Sequence, residues 1–240
     1  MTATSVRRAA FIAGALYILT FIASIPTLAM KAPVVDHVDF VLGVGNQNSV
    51  IAASLLDVVC ALAGIGTAVV LWPITRRENQ TLGLGFVTTR VLEAATLVVG
   101  AISLMALVTL RNDVSAATGP EATSLLTTGR SLVAMHDWSF LFGPGVMPAF
   151  NALMFATLLY RSRLVPRIIP MVGLVGAPLL LLSSVVTAFG GWEQTSNTAM
   201  LFALPIAAWE FTIGVWMMVK GFSSRTPRAV RNDVTALAAA

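Results

Sequence analysis

Charge is what this chain has least of. Lys, Arg, Asp and Glu make up 11% of its 240 residues, against about a quarter of an ordinary soluble domain. That scarcity excludes a conventional charged, water-facing surface. There is a single cysteine, Cys60, so no intramolecular disulfide and no cysteine-built metal site can form within the chain. Only two histidines, His37 and His136, are present, too few for an imidazole-rich centre. The GxGxxG, Walker A, HExxH and GxSxG signatures are missing as well, which removes the sequence warrant for nucleotide binding, zinc peptidase chemistry and a serine nucleophile elbow. The short "GLG" at 83–85 and "GPG" at 143–145 are too brief to cradle a phosphate. No polar stretch is long enough to fold separately, and no internal repeat of the inverted-transporter kind stands out.

What is abundant is apolar length. The chain is 57% hydrophobic, and its apolar residues collect into runs at 9–30, 49–74, 82–110, 131–160, 168–189 and 198–219. Each is near or above the roughly 20 residues that cross a bilayer as a helix. The expected fold is therefore all-α: a polytopic bundle of six transmembrane helices forming one domain over residues 1–222, followed by a mobile tail at 223–240. The third and fourth runs are long enough to project or bend. Pro144, Pro148, Pro178 and Pro205 are the expected kinks, tolerated where neighbouring helices satisfy the freed carbonyls.

The basic residues give a direction. Arg7, Arg8, Arg76, Arg77, Arg161, Arg163, Arg167, Lys220, Arg225, Arg228 and Arg231 fall on one side of the six runs, against Lys31, Arg111 and Arg130 on the other. The positive-inside rule then places both termini in the cytoplasm. The net charge of +4 reflects that asymmetry, and no nucleic-acid partner is expected. Arg7 and Arg8 ahead of an apolar run, with Thr27-Leu28-Ala29 behind it, also fit a signal peptide. The run exceeds the usual h-region of about 7–15 residues, which favours a retained helix.

Against this background four ionisable residues lie inside apolar runs: Asp57, Arg90, Glu93 and Glu210. A charge at the bilayer centre costs about 2.5–3.5 kcal/mol on insertion scales, so such groups face the bundle interior and find partners. Arg90 and Glu93, three residues apart, share a helix face. Thr89, Glu93, Thr96, Gly100 and Ser103 continue that face as a small, polar stripe. Similar stripes run through Ser54, Asp57, Ala61, Gly64 and Ala68, and through Ala203, Ala207, Glu210 and Gly214. Counting residues from the run ends puts Glu93 and Glu210 near the midplane and Asp57 nearer the outer surface, so Arg90, Glu93 and Glu210 are expected to meet. Three acids against one arginine leave an excess of negative charge, to be met by a proton or a cation.

A second polar group gathers at the outer end of the fourth run. His136 and Asp137 lie at the expected interface beside Trp138, and Ser139, Gly143, Met147 and Asn151 fall broadly on the face of His136. With Asp36, His37, Asp39 and Asp57 they bring together ligand types that suit zinc or iron. The spacing matches no ligand motif, so interfacial capping is the simpler reading and neither a metal nor another cofactor is expected. Cys60 reads as a small packing residue.

Three functions from different classes remain open. The first is a small-solute or ion-handling protein using Arg90, Glu93, Glu210 and Asp57 as an intramembrane site. The second is a membrane-embedded enzyme, acting on lipid or using a metal, with His136 and Asp137 as its acid–base residues. The third is a structural or partner subunit whose buried charges only fix helix packing. Membrane lipid and a small-molecule or ionic ligand are the expected partners; the oligomeric state is left open.

Four segments carry a resemblance. They are "AAFIAGALYILTFIAS" at 9–24, "RVLEAA" at 90–95, "LLYRSRLVPRIIPMVGLVGA" at 158–177 and "WEFTIGVWMMVKGF" at 209–222. In this order and spacing the chain resembles a bacterial membrane family described as domain of unknown function 4386, from about Arg8 to Phe222. The resemblance implies a multi-pass bundle in the bacterial cytoplasmic membrane with the first span retained. It also implies that Arg90, Glu93 and Glu210 are family features. It brings no activity, substrate or cofactor. The chain departs from the family pattern in the fourth run, where "FNALMF" stands in place of an aromatic–glycine segment.

Overall fold

The computed structural model describes residues 2–35, 40–43, 45–114 and 120–223. These form α1 (Ala3–Val35), α2 (Gln47–Glu78), α3 (Gln80–Val114), α4 (Pro120–Phe140), a π-helical turn (Leu141–Val146), α5 (Met147–Ser162), α6 (Ile168–Ala188) and α7 (Asn197–Val219). Because α4, the π-helical turn and α5 follow one another without a break, six helical segments are long and apolar enough to cross a membrane. The chain is a multi-pass, all-α membrane protein, and among the described residues there is no strand.

The apolar runs become helices because no other conformation buries every peptide group internally in lipid. Polar residues mark where they stop. The Asn46 side chain accepts from the Asn48 N–H at the start of α2, and the Ser196 hydroxyl accepts from the Ala199 N–H at the start of α7, each satisfying a first-turn donor. A single extended residue, Asn79, joins α2 to α3, and its side chain accepts from the Leu82 N–H.

The spans close into a ring. In turn, α1 packs on α2, α2 on α3, α3 on the fourth span, α5 on α6, α6 on α7 and α7 on α1. Glycine makes the closing contact possible: a Cβ on Gly14 of α1 would stand 2.5 Å from the Gly214 carbonyl oxygen of α7, so the two backbones touch. At the same seam the Arg7 guanidinium donates to the Met217, Met218 and Val219 carbonyls, the last of α7, where orphan acceptors and the helix dipole both favour a cation. The start of α1 and the end of α7 thus share one face of the bundle. Large apolar side chains point both ways, with Tyr17, Phe86, Phe155 and Trp209 buried inside the ring and Ile22, Leu62, Ile102 and Leu204 exposed on its outer surface.

Several expectations need correcting. The first helix runs to Val35, which moves Lys31 out of the loop expected there and into α1. A short turn at Phe40–Gly43 follows, whereas Asp36, His37 and Asp39 lie outside the described residues, as does the tail from 224. Pro144 sits in a π-helical turn, Pro148 in the first turn of α5, and Pro178 and Pro205 inside α6 and α7. Pro144 has no N–H to return to the preceding turn, and Gly143 and Gly145 on either side leave the backbone room to widen. The Ser184 hydroxyl of α6 is within hydrogen-bond reach of the Gly145 carbonyl at 2.8 Å and of the Leu180 carbonyl at 2.9 Å.

Candidate functional site

The centre of the ring holds one arginine between two glutamates. Arg90 Nη1 donates to Glu93 Oε2 at 2.9 Å, and Nη2 donates to Glu210 Oε1 at 2.6 Å. Asn151 Nδ2 donates to the same Glu93 oxygen at 2.5 Å. The Tyr17 ring lies 4.9 Å from the guanidinium carbon on one side and the Phe86 ring 5.8 Å on another, within cation–π range. Phe86 stacks on Phe155, which leans on Trp209. Thus α1, α3, α5 and α7 each place a side chain at one point. The planar guanidinium fork can hold two carboxylates in fixed directions, which the single charge of a lysine does not do.

Local sequence explains the convergence. Arg90 and Glu93 sit one turn apart on α3, so one helix face delivers both. A Cβ on Gly143 would stand 2.5 Å from Thr96 Oγ1 and 3.6 Å from the Glu93 carbonyl oxygen. Glycine there lets the fourth span press against α3 at the level of Glu93, and Asn151 follows two turns later.

The charge balance is uneven. Two carboxylates share one guanidinium, so the ionised cluster carries an excess negative charge. Its exposure is uneven too: Arg90 is 4% exposed, while the Glu93 and Glu210 side chains are 17% and 16% exposed. The two glutamate side chains are therefore less completely covered than the arginine between them. Among the described residues, Arg90 Nε and Asn151 Oδ1 are buried without a hydrogen-bond partner, a donor and an acceptor that each cost about 1–3 kcal/mol if left unmade.

Asp57 does not join this cluster. Its Oδ2 meets Lys31 Nζ at 2.5 Å, and both side chains are buried. Lys31 and His136 both meet Phe140: the ammonium is 5.6 Å from its ring centre, and the imidazole stacks on it at 6.0 Å. His136 Nδ1 meets Asp137 Oδ1 at 3.0 Å. Two groupings drawn from the sequence are thereby exchanged. Asp57, expected with Arg90, pairs with Lys31 because the helix that carries Lys31 reaches further than the apolar run alone indicated. Asn151, expected with His136, bonds Glu93, and a π-helical turn separates it from His136 along the fourth span.

Two contributors were not foreseen. Lys31 was counted as a loop residue, although its place just beyond an apolar run and near the depth of Asp57 is the signal that finds it. Tyr17 lies on the same face of α1 as buried Ala10 and Ala13, a helical spacing that marks the interior. Cys60, one turn from Asp57, is partly buried and packs with Ala61, Ala94 and Leu97. Among the described residues no group of three His, Cys, Asp or Glu side chains is placed to hold a metal ion.

Comparison with known proteins adds a family. Residues 12–221 match the model of a family described as Domain of unknown function (DUF4386). No curated protein and no solved structure matches the chain.

Proposed function

The chain belongs to the DUF4386 family, whose description carries no activity, and we propose from the site alone that it is a small-solute or ion-handling membrane protein. Its working centre is the Arg90–Glu93–Glu210–Asn151 cluster. It resides in the bacterial cytoplasmic membrane with both termini inside. One observation carries this reading: two glutamates inside the bundle share one buried arginine, so two carboxylates have a single counter-charge between them.

A cluster of that kind loads and unloads a positive charge. When both glutamates are ionised, the second carboxylate lacks a counter-charge in a medium that penalises isolated charge strongly. A proton or small cation reaching either glutamate removes the imbalance. Arg90 keeps the two carboxylates apart and aimed, and Asn151 holds the shared Glu93 oxygen. The intramembrane depth makes such loading sensitive to the side from which the charge arrives.

The experiment is proton uptake by proteoliposomes containing the purified protein, followed with a trapped pH dye under an imposed potential, with sodium present and absent. Glu93→Gln keeps the shape and the hydrogen-bond acceptor but removes the titrating charge. The expected result is a loss of flux of tenfold or more, with the melting transition retained. Undiminished flux in this variant overturns the proposal.

A further inference from the structure

Among the glycines of the described helices, Gly64 alone faces open space. It is buried within α2, yet a Cβ built on it would meet no heavy atom within 4 Å. Gly66, two positions on, shows the contrast: a Cβ there would stand 3.1 Å from Leu16 Cδ1 of α1. The wall of the ring is tight at Gly66 and opens at Gly64. The lining of a void forfeits dispersion contacts, so a gap inside a bundle requires an explanation.

The gap lies at the depth of the arginine–glutamate cluster. Gly64 stands 15 residues before Asn79 and Glu93 14 residues after it, about 22 Å and 21 Å along the two arms of the α2–α3 hairpin. On the other side, the approach of Gly66 to Leu16 sets Gly64 near the level of Tyr17, whose ring lies 4.9 Å from the Arg90 guanidinium. Polar capacity is left over at this depth. Glu93 and Glu210 share one arginine, and part of each glutamate side chain is uncovered. Asn151, 2% exposed, donates to Glu93 through Nδ2, whereas its Oδ1 has no partner among the described residues. Cavities that stay dry are lined by apolar groups, and this level is not apolar.

A bare proton needs no room. We propose that the gap at Gly64 seats a small monovalent metal cation of the sodium class, held with part of its water shell against Glu93 and Glu210, so that Gly64 sets the size of what the cluster takes. This rests on the ion-handling reading of the cluster and narrows it. Carboxylate and carboxamide oxygens are the ligands that hard cations prefer. One added positive charge balances the carboxylate that Arg90 leaves over. The described residues bring no third acid to the cluster, so the protein does not enclose the ion alone, and water in the gap completes its shell.

The test reads binding through heat stability and needs no transport assay. The full chain in detergent is melted in sodium chloride and in N-methylglucamine chloride at equal ionic strength. An ion bound by the folded state raises the melting temperature, here by about 2–5 °C in sodium. Gly64→Ala keeps that rise, because its methyl group has room. Gly64→Leu fills the gap, melts like the parent in N-methylglucamine and loses the rise. Should Gly64→Leu fail to fold, Gly64→Cys on a Cys60→Ser background gives a second reading: sodium slows its labelling by a small cationic thiosulfonate reagent several-fold. No sodium-specific rise in the parent, an undiminished rise in folded Gly64→Leu, or labelling of Gly64→Cys indifferent to sodium overturns the proposal. The two readings can fail apart. Flux lost in Glu93→Gln with no sodium rise leaves a proton site and sinks the metal cation, whereas a sodium rise with undiminished flux in Glu93→Gln keeps the bound cation and sinks the transport role.

Discussion

Arg90 is a residue whose removal should cost more than the removal of everything it touches. Arg90→Leu leaves two buried carboxylates facing each other without a cation, and breaking a buried pair from one side is worth about 3–5 kcal/mol of stability. Replacing Arg90, Glu93 and Glu210 together by leucine removes charge and counter-charge at once. The triple variant is therefore expected to melt well above the single one, close to the parent, in detergent-solubilised thermal unfolding. Its flux separates two roles. A triple variant that folds and still moves protons or sodium would make the cluster a packing lock, whereas a folded and inactive one fits a site. The Arg90–Glu93 pair was legible from its spacing, and so was Glu210 from its depth. What escaped the sequence was the partner of Asp57, since Lys31 stands beyond the apolar run and reads as a loop residue until the helix is seen to extend to Val35.

At the scale of the element, the fourth span shows what hydropathy cannot report. Its apolar length was plain and Pro144 was an evident irregularity, yet a π-helical turn and a kinked α-helix share the same apolar run and the same proline. Hydropathy does not tell the two apart. The same turn carries a close approach that can be tested. Gly143→Ala puts a methyl group 2.5 Å from Thr96 Oγ1, an overpacking expected to cost about 1–3 kcal/mol. Adding Thr96→Ala removes the clashing oxygen, so the double variant should recover most of the lost stability. Equal melting of single and double variants in the same unfolding assay would show that the two helices part without penalty.

For the whole molecule, the number of spans followed from length and composition, but the ring did not. In a soluble bundle the apolar face of each helix marks the core. Here lipid-facing Ile22, Leu62 and Ile102 are as apolar as buried Leu71, Leu104 and Leu107, so periodicity is nearly erased and only small and polar stripes reveal the interior. The shared face of the two termini follows from the Arg7 contacts with α7, while the compartment they face is an inference from basic-residue bias. Single cysteines placed on a Cys60→Ser background decide it. Ser162→Cys should react with a membrane-impermeant maleimide only after the cells are opened, and Glu121→Cys in intact spheroplasts once any outer membrane is removed. The reverse pattern would invert the bundle.

The joint at Asn79 has a mechanical consequence. One extended residue between α2 and α3 leaves no slack, so the two helices behave as the arms of a single stiff fork. Asp57 rides on one arm about 33 Å from the joint and Glu93 on the other about 21 Å from it, at 1.5 Å per residue. A small tilt of the fork must displace both, the farther one by about half as much again. The two polar clusters are thus linked by leverage, and neither can be shifted by moving this hairpin while the other stands still.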